Sequence, residues 1–169
     1  LTPGNETRTW MESMQIVVDL PGAIIATMHT TSSGQGHETL VATVLGEVLE
    51  IEPDNIRVVR SNSINATPSN SPVGSRMAIM LGGAAAGAAK KIRATLIAIG
   101  AHNLGVAVDA VDYSEGSVSV KGAAGKSLSW DQLVEIAHRK FHKLPAGIEP
   151  GLQAKFVWEV PTGGSLPTA

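Results

Sequence analysis

Ser32-Ser33-Gly34-Gln35-Gly36-His37-Glu38-Thr39 is the stretch on which the reading of this chain turns. It is a small, glycine-rich segment between extended chain and a strongly periodic helix. Before it, Ile16-Val17-Val18-Asp19-Leu20 and Ala23-Ile24-Ile25-Ala26-Thr27-Met28 read as two strands, with Pro21-Gly22 as the turn between them. After it, Leu40, Val41, Val44, Leu45, Val48 and Leu49 recur at helical spacing and define one apolar face from about Glu38 to Glu50. Glycines at 34 and 36 remove two side chains where strand gives way to helix, so a ligand can approach the backbone there. The free N–H groups and positive dipole end of the helix suit a phosphate or another anion. Such turns also occur for geometry alone, so this stretch leaves both readings open.

Working outward, the helix stops before Glu52-Pro53-Asp54-Asn55, and Ile56-Arg57-Val58-Val59-Arg60 reads as a strand. The segment from Ser61 to Ser75 is a polar loop rich in Ser, Asn and Pro, of a length that points to function or disorder. Ser75 is the expected N-cap of a second helix from about Arg76 to Ala101. That helix contains Gly82-Gly83-Ala84-Ala85-Ala86-Gly87-Ala88-Ala89. Each helical glycine costs about 1 kcal/mol against alanine, so something approaches closely, either a sheet or a ligand. Val111-Asp112-Tyr113 and Val118-Ser119-Val120 form a hairpin, Ser127-Leu128 continues extended, and Ser129-Trp130-Asp131-Gln132 opens a third helix with a capping box. The order predicts an α+β fold: a two-layer domain with helices on one face of a mixed β-sheet.

Composition sets the outer limits. A chain of 169 residues forms one domain, burying roughly 70% of its unfolded surface. Aromatic residues make up 4% of the chain, so the core is aliphatic. A net charge of −2, with no basic stripe, argues against a nucleic-acid partner. There is no cysteine, which excludes disulfides and thiolate-bound zinc or iron–sulfur groups within this chain and fits a reducing, cytoplasmic setting. No apolar run reaches the ~18 residues of a membrane span. The chain opens at Leu1, and 142–169 holds four of the nine prolines. It therefore reads as a domain cut from a longer protein, with 1–14 an N-terminal extension, 15–141 the domain and 142–169 a Pro/Gly-rich linker.

The order of these motifs resembles one family. Strand, Gly34-Gln35-Gly36-His37, amphipathic helix, Pro53-Asp54-Asn55-Ile56-Arg57-Val58, polar loop, Gly74-Ser75-Arg76 and small-residue helix is similar to the molybdenum-binding large subunit of the xanthine dehydrogenase, aldehyde oxidase and carbon monoxide dehydrogenase group. Tyr113-Ser114-Glu115-Gly116-Ser117-Val118 and Gly125-Lys126-Ser127-Leu128-Ser129-Trp130 extend the resemblance over roughly residues 15 to 140.

That resemblance implies a molybdenum–molybdopterin cofactor, in simple or cytosine-dinucleotide form, with Gln35 near its phosphate, Gly34 and Gly36 admitting it, and His37 beside it. It likewise implies that Gly74, Ser75 and Arg76 face the cofactor. A neutral amide donates to a phosphate oxygen without adding buried charge, and an Arg fork binds phosphate bidentately. Read as residues alone, Arg76 is equally an ion-pair partner and His37 a polar helix-start residue. Iron–sulfur and flavin groups are implied only on partner domains or subunits, together with the remainder of the molybdenum subunit. The family's catalytic glutamate sits in a Gly-Val-Gly-Glu-like stretch that is missing here, and Glu159 in Trp158-Glu159-Val160-Pro161 does not match it. The implied role is therefore one wall of a hydroxylase site, with no turnover by this chain alone.

Two other classes stay open: a non-catalytic scaffold or assembly module with the same fold, and an unrelated phosphate-binding domain. The latter lacks a P-loop Lys and the Gly-x-Gly-x-x-Gly spacing. His138 and His142 share a helix face but lack the zincin pattern, and no Gly-x-Ser-x-Gly elbow occurs.

Overall fold

The computed structural model describes residues 11–30, 32–62, 64, 66, 68, 69, 72, 75–123 and 125–159. Strand β1 (Met11–Val18) turns back into β2 (Ile24–Met28). Asp19 closes that turn: its carbonyl accepts from Gly22 N–H at 2.9 Å and its carboxylate from Ala23 N–H at 2.8 Å. Helix α1 (His37–Leu49) then crosses to β3 (Ile56–Arg60), which lies parallel to β2 with Ile24 opposite Ile56 and Met28 opposite Arg60. Helix α2 (Met77–Leu104) follows. A small antiparallel sheet of β4 (Val111–Ser114), β5 (Ser117–Val120) and β6 (Ser127–Leu128) leads to α3 (Trp130–Arg139), and β7 (Leu152–Glu159) returns antiparallel to β1.

The main sheet runs β3-β2-β1-β7 and is mixed, as expected, because one pair is parallel and two are antiparallel. Its buried face comprises Met14, Ile16 and Val18, Ile24, Ala26 and Met28, Ile56, and Leu152 and Ala154. Against it lie Val41, Leu45 and Leu49 of α1 and the small-residue face of α2, including Leu81, Ala84, Ala85, Ala88 and Ile92. The α+β layering is thus borne out. The hairpin forms a sheet of its own rather than extending the first, with Val118 packed where a side chain on Gly100 would sit.

The small residues of α2 admit the sheet. A β-carbon at Gly83 would meet the Trp158 indole at 2.6 Å, and one at Gly87 the Phe156 ring at 2.2 Å. Both aromatics come from β7, so the prolines of 142–169 bracket an edge strand in the segment read as a linker. Likewise, β1 starts inside the expected N-terminal extension: Glu12 and Ser13, near its first residue, are polar and break the apolar pattern, yet both are fully buried. Asp19 and Leu20, read as strand, belong to the turn.

The helix ends are closed from outside. Helix α1 has no basic residue in its last turn. Arg93 of α2 donates to Val48 O at 3.1 Å, and the Tyr113 hydroxyl to Leu49 O at 2.9 Å, supplying the carbonyls that a helix end leaves open. Arg93 also pairs with Glu50 at 2.8 Å and stacks on the Tyr113 ring. Burial pushes the Tyr113 phenol up to about 12, with the Arg93 charge opposing. The expected capping box on α3 is present, with Ser129 as N-cap and Gln132 reaching back to Ser129 N–H at 3.0 Å. Trp130 donates to Gly22 O at 3.0 Å, and His138 Nε2 lies 2.9 Å from Val18 O, fastening α3 beside the sheet. No helix among the described residues is long and apolar enough to cross a membrane.

Candidate functional site

Because β2 and β3 are parallel, their carboxyl ends open at the same rim of the sheet, the place where open α/β layers receive ligands. From β2 the chain enters the Gly-rich turn and α1. From β3 it enters the polar loop and α2. Gln35, Gly36, His37 and Leu40 on one side, and Pro72, Ser75, Met77 and Ala78 on the other, line a cleft of about 540 Å³.

The cleft's chemistry follows from its backbone. Gly34 has φ +95° and Gly36 φ +74°, both left-handed, and no described atom lies within 4 Å of where a side chain would start. The turn is an open cradle of main chain that only glycine adopts without strain. Gly36 is the N-cap of α1 and carries no side-chain cap bond; Arg76 is the N-cap of α2, also without one. The starts of α1 and α2, neither with a cap bond from its N-cap side chain, therefore border one cavity, and helix N-termini favour an anion. Ser75 is not the N-cap expected from sequence: it sits one residue earlier at φ +53°, a strained turn position at the cleft wall.

His37, the first residue of α1, is only 5% exposed, and its Nδ1 has no partner among the described residues. Thr30, two residues beyond β2, is 3% exposed, and its Oγ1 has no partner among the described residues. Buried polar atoms are rarely left unsatisfied, and His37 also lines the cleft, so its Nδ1 is a candidate contact for a ligand's polar group. The Gln35 side-chain carbonyl accepts from Ser33 N–H, which leaves its NH2 as the donor end of the amide. Glu38, in the first turn of α1, is held by both Nε and Nη2 of Arg60 at 3.1 and 2.7 Å. Arg60 keeps its carboxyl below the usual range, helped by backbone N–H donation at the helix start. Arg76 is buried, and burial lowers its pKa while the nearby Glu12 carboxylate opposes that shift.

The structure thus brings Gly34, Gln35, Gly36, His37, Ser75 and Arg76 to one rim, while Gly74 lies outside the described residues. Sequence reading did not single out Thr30 or Glu12, two buried polar residues. His138 is committed to the sheet and His142 is exposed; among the described residues no group of three or more His, Cys, Asp or Glu could hold a metal ion.

A cleft bordered by two helix starts and a glycine turn belongs here to an α+β domain. The chain matches the molybdopterin cofactor-binding domain model over residues 2–168 and belongs to that family. It is 34% identical over 150 residues to the carbon monoxide dehydrogenase large chain of Hydrogenophaga pseudoflava, covering 89% of this chain and 18% of that one. With the nicotine 6-hydroxylase large subunit of Paenarthrobacter nicotinovorans it shares 31% over 153 residues, 90% of this chain and 19% of the other. The structure of reconstituted CO dehydrogenase from Oligotropha carboxidovorans superposes with TM-score 0.81 at 33% identity, covering 89% of this chain and 18% of that one. The chain therefore spans under one fifth of the length of these relatives. The large-subunit resemblance read from its motifs is borne out.

Proposed function

We propose that this chain forms one wall of the molybdenum–pterin site in the large subunit of a molybdenum hydroxylase, an oxidoreductase. The observation that carries the reading is the buried His37 Nδ1, without a partner among the described residues, beside an open glycine cradle where the starts of two helices border one cleft. The donors present fit a pterin phosphate. Backbone N–H groups at Gly34 and Gly36 and the Gln35 amide would donate to its oxygens, His37 and Ser75 would flank it, and Arg76 would add positive charge at the start of α2; Gly74 belongs to the same proposed set by sequence. The cytosine-dinucleotide form of the cofactor belongs to the same reading, since a longer anionic tail suits a cleft of about 540 Å³.

When bound, such a group supplies two-electron chemistry: a carbon–hydrogen bond of an aldehyde or N-heterocycle and one water become a carbon–hydroxyl group, with two protons and two electrons released. This chain's residues bind and orient; the general base, the iron–sulfur acceptors and the flavin lie on the rest of the subunit or on partner subunits in the cytoplasm. The relatives are named for different substrates, nicotine in one and carbon monoxide in the other, which fits a shared part that serves the cofactor.

The test is to purify the full-length subunit carrying Gln35→Ala or Gly36→Val and measure molybdenum and pterin per polypeptide. Content falling about 10-fold or more at unchanged folding is expected. Wild-type content in both variants contradicts the assignment.

A further inference from the structure

Strand β1 places a carboxylate where an aliphatic side chain would pack more cheaply. Glu12 and its neighbour Ser13 have no solvent exposure. A buried charge is tolerated only when other groups satisfy it, and the groups that do so here come from far along the chain. Ser69 Oγ donates to Glu12 Oε1 at 2.8 Å, and Ser13 Oγ donates to Pro68 O at 2.8 Å, across sequence separations of 57 and 55 residues. Both partners sit in the polar loop that runs to Ser75. At the end of that loop, Arg76 is 3% exposed and lies within the field of the Glu12 carboxylate. Further on, Pro72, Ser75 and Met77 line the cleft.

We propose that Glu12 is a positioning residue: by holding Ser69, while its neighbour Ser13 holds Pro68, it anchors the stretch of chain that leads to Pro72 and Ser75 on the second wall of the cofactor cleft. The inference rests on the cofactor reading of that cleft. Neither Glu12 nor Ser13 touches the cleft itself; they act through the loop. The charge of Glu12 matters as well as its shape. A glutamine keeps an acceptor for Ser69 but removes a negative charge that acts on the buried Arg76, and removing one member of a buried charge pair is more damaging than removing both.

The experiment compares the wild-type full-length subunit with Glu12→Gln, Arg76→Met and the double variant. Three readouts are taken: molybdenum per polypeptide, the rate of protease cleavage within residues 61–75 in cofactor-free protein, and thermal unfolding. Expected for Glu12→Gln are about 10-fold faster cleavage and about 10-fold lower molybdenum. The double variant is expected to be less impaired than the sum of the singles, the coupling that a shared interaction produces. Wild-type cleavage and molybdenum in Glu12→Gln overturn the proposal. Faster cleavage at full molybdenum leaves Glu12 a loop tether only and overturns its positioning role. A uniform loss of thermal stability, with the single effects adding, overturns it too. A wild-type subunit without molybdenum overturns the reading of the cleft, and the positioning role falls with it, whereas loss of the coupling in a loaded subunit overturns the positioning role alone.

Discussion

Gly87→Ala separates two opposed effects whose sizes follow from the structure. In an open helix the change gains about 1 kcal/mol, because alanine is the better helix former. At Gly87 the new β-carbon would stand 2.2 Å from Phe156 Cδ1 and 2.7 Å from Cγ. The ring would have to retreat by about 1.3 Å to regain an ordinary carbon contact of ~3.5 Å. Its root is on β7, where Phe156 pairs with Met14, and Lys91 lies over its face at 5.3 Å while donating to Lys155 O at 2.9 Å. A side chain so placed cannot yield without moving the strand, and overpacking of this kind costs about 1–3 kcal/mol. Sterics win, for a net loss of about 1 kcal/mol. Gly82, five residues earlier, is the control, since no described atom lies within 4 Å of its prospective β-carbon. Gly82→Ala should stabilise by up to ~1 kcal/mol. Urea unfolding should therefore show the two midpoints moving in opposite directions, about 1 M apart. Equal stabilisation by both would refute the packing of α2 on β7.

Alkaline unfolding should report on Tyr113. Its phenol is raised from 10 to about 12, so the neutral form's stabilisation is complete below pH 10 and is lost as pH rises toward 12, amounting to about 2–3 kcal/mol. Tyr113→Phe should flatten that slope while costing about 1–2 kcal/mol at neutral pH, because Leu49 O loses its donor; denaturant curves from pH 8 to 12 would check both. Arg93→Met should cost about 1–2 kcal/mol, chiefly by uncovering the Val48 carbonyl, since its ion pair with Glu50 is a third exposed and counts for little. A thermal melt that does not shift would contradict that account of the α1 terminus. Ser129→Ala should cost about 1 kcal/mol through loss of the α3 cap, read by the same melt.

What the sequence made legible was whatever depends on local period. Val41, Leu45 and Leu49 fell on the buried face that their spacing demanded, and the Ser129 capping box formed as written. Strand β7 was concealed by counting prolines across 142–169, although Leu152, Ala154, Phe156 and Trp158 alternate with outward residues at the period of a strand. The start of β1 was hidden for a different reason: Glu12 and Ser13 are buried because of partners more than fifty residues away. The choice between sheet and ligand for the α2 glycines also lay beyond local pattern. Phe156 and Trp158 decide it for Gly83 and Gly87. At the site, the Gly-rich turn was readable, whereas its meeting with the start of α2 depends on the parallel pairing of β2 and β3, and no local signal announces that.

The central claim is that this chain helps to hold a molybdenum–pterin cofactor. The direct measurement is the molybdenum content, by elemental mass spectrometry, of the native assembly purified through this chain. The account predicts stoichiometric molybdenum in that assembly. A metal-free assembly would contradict it and favour a scaffold with the same fold.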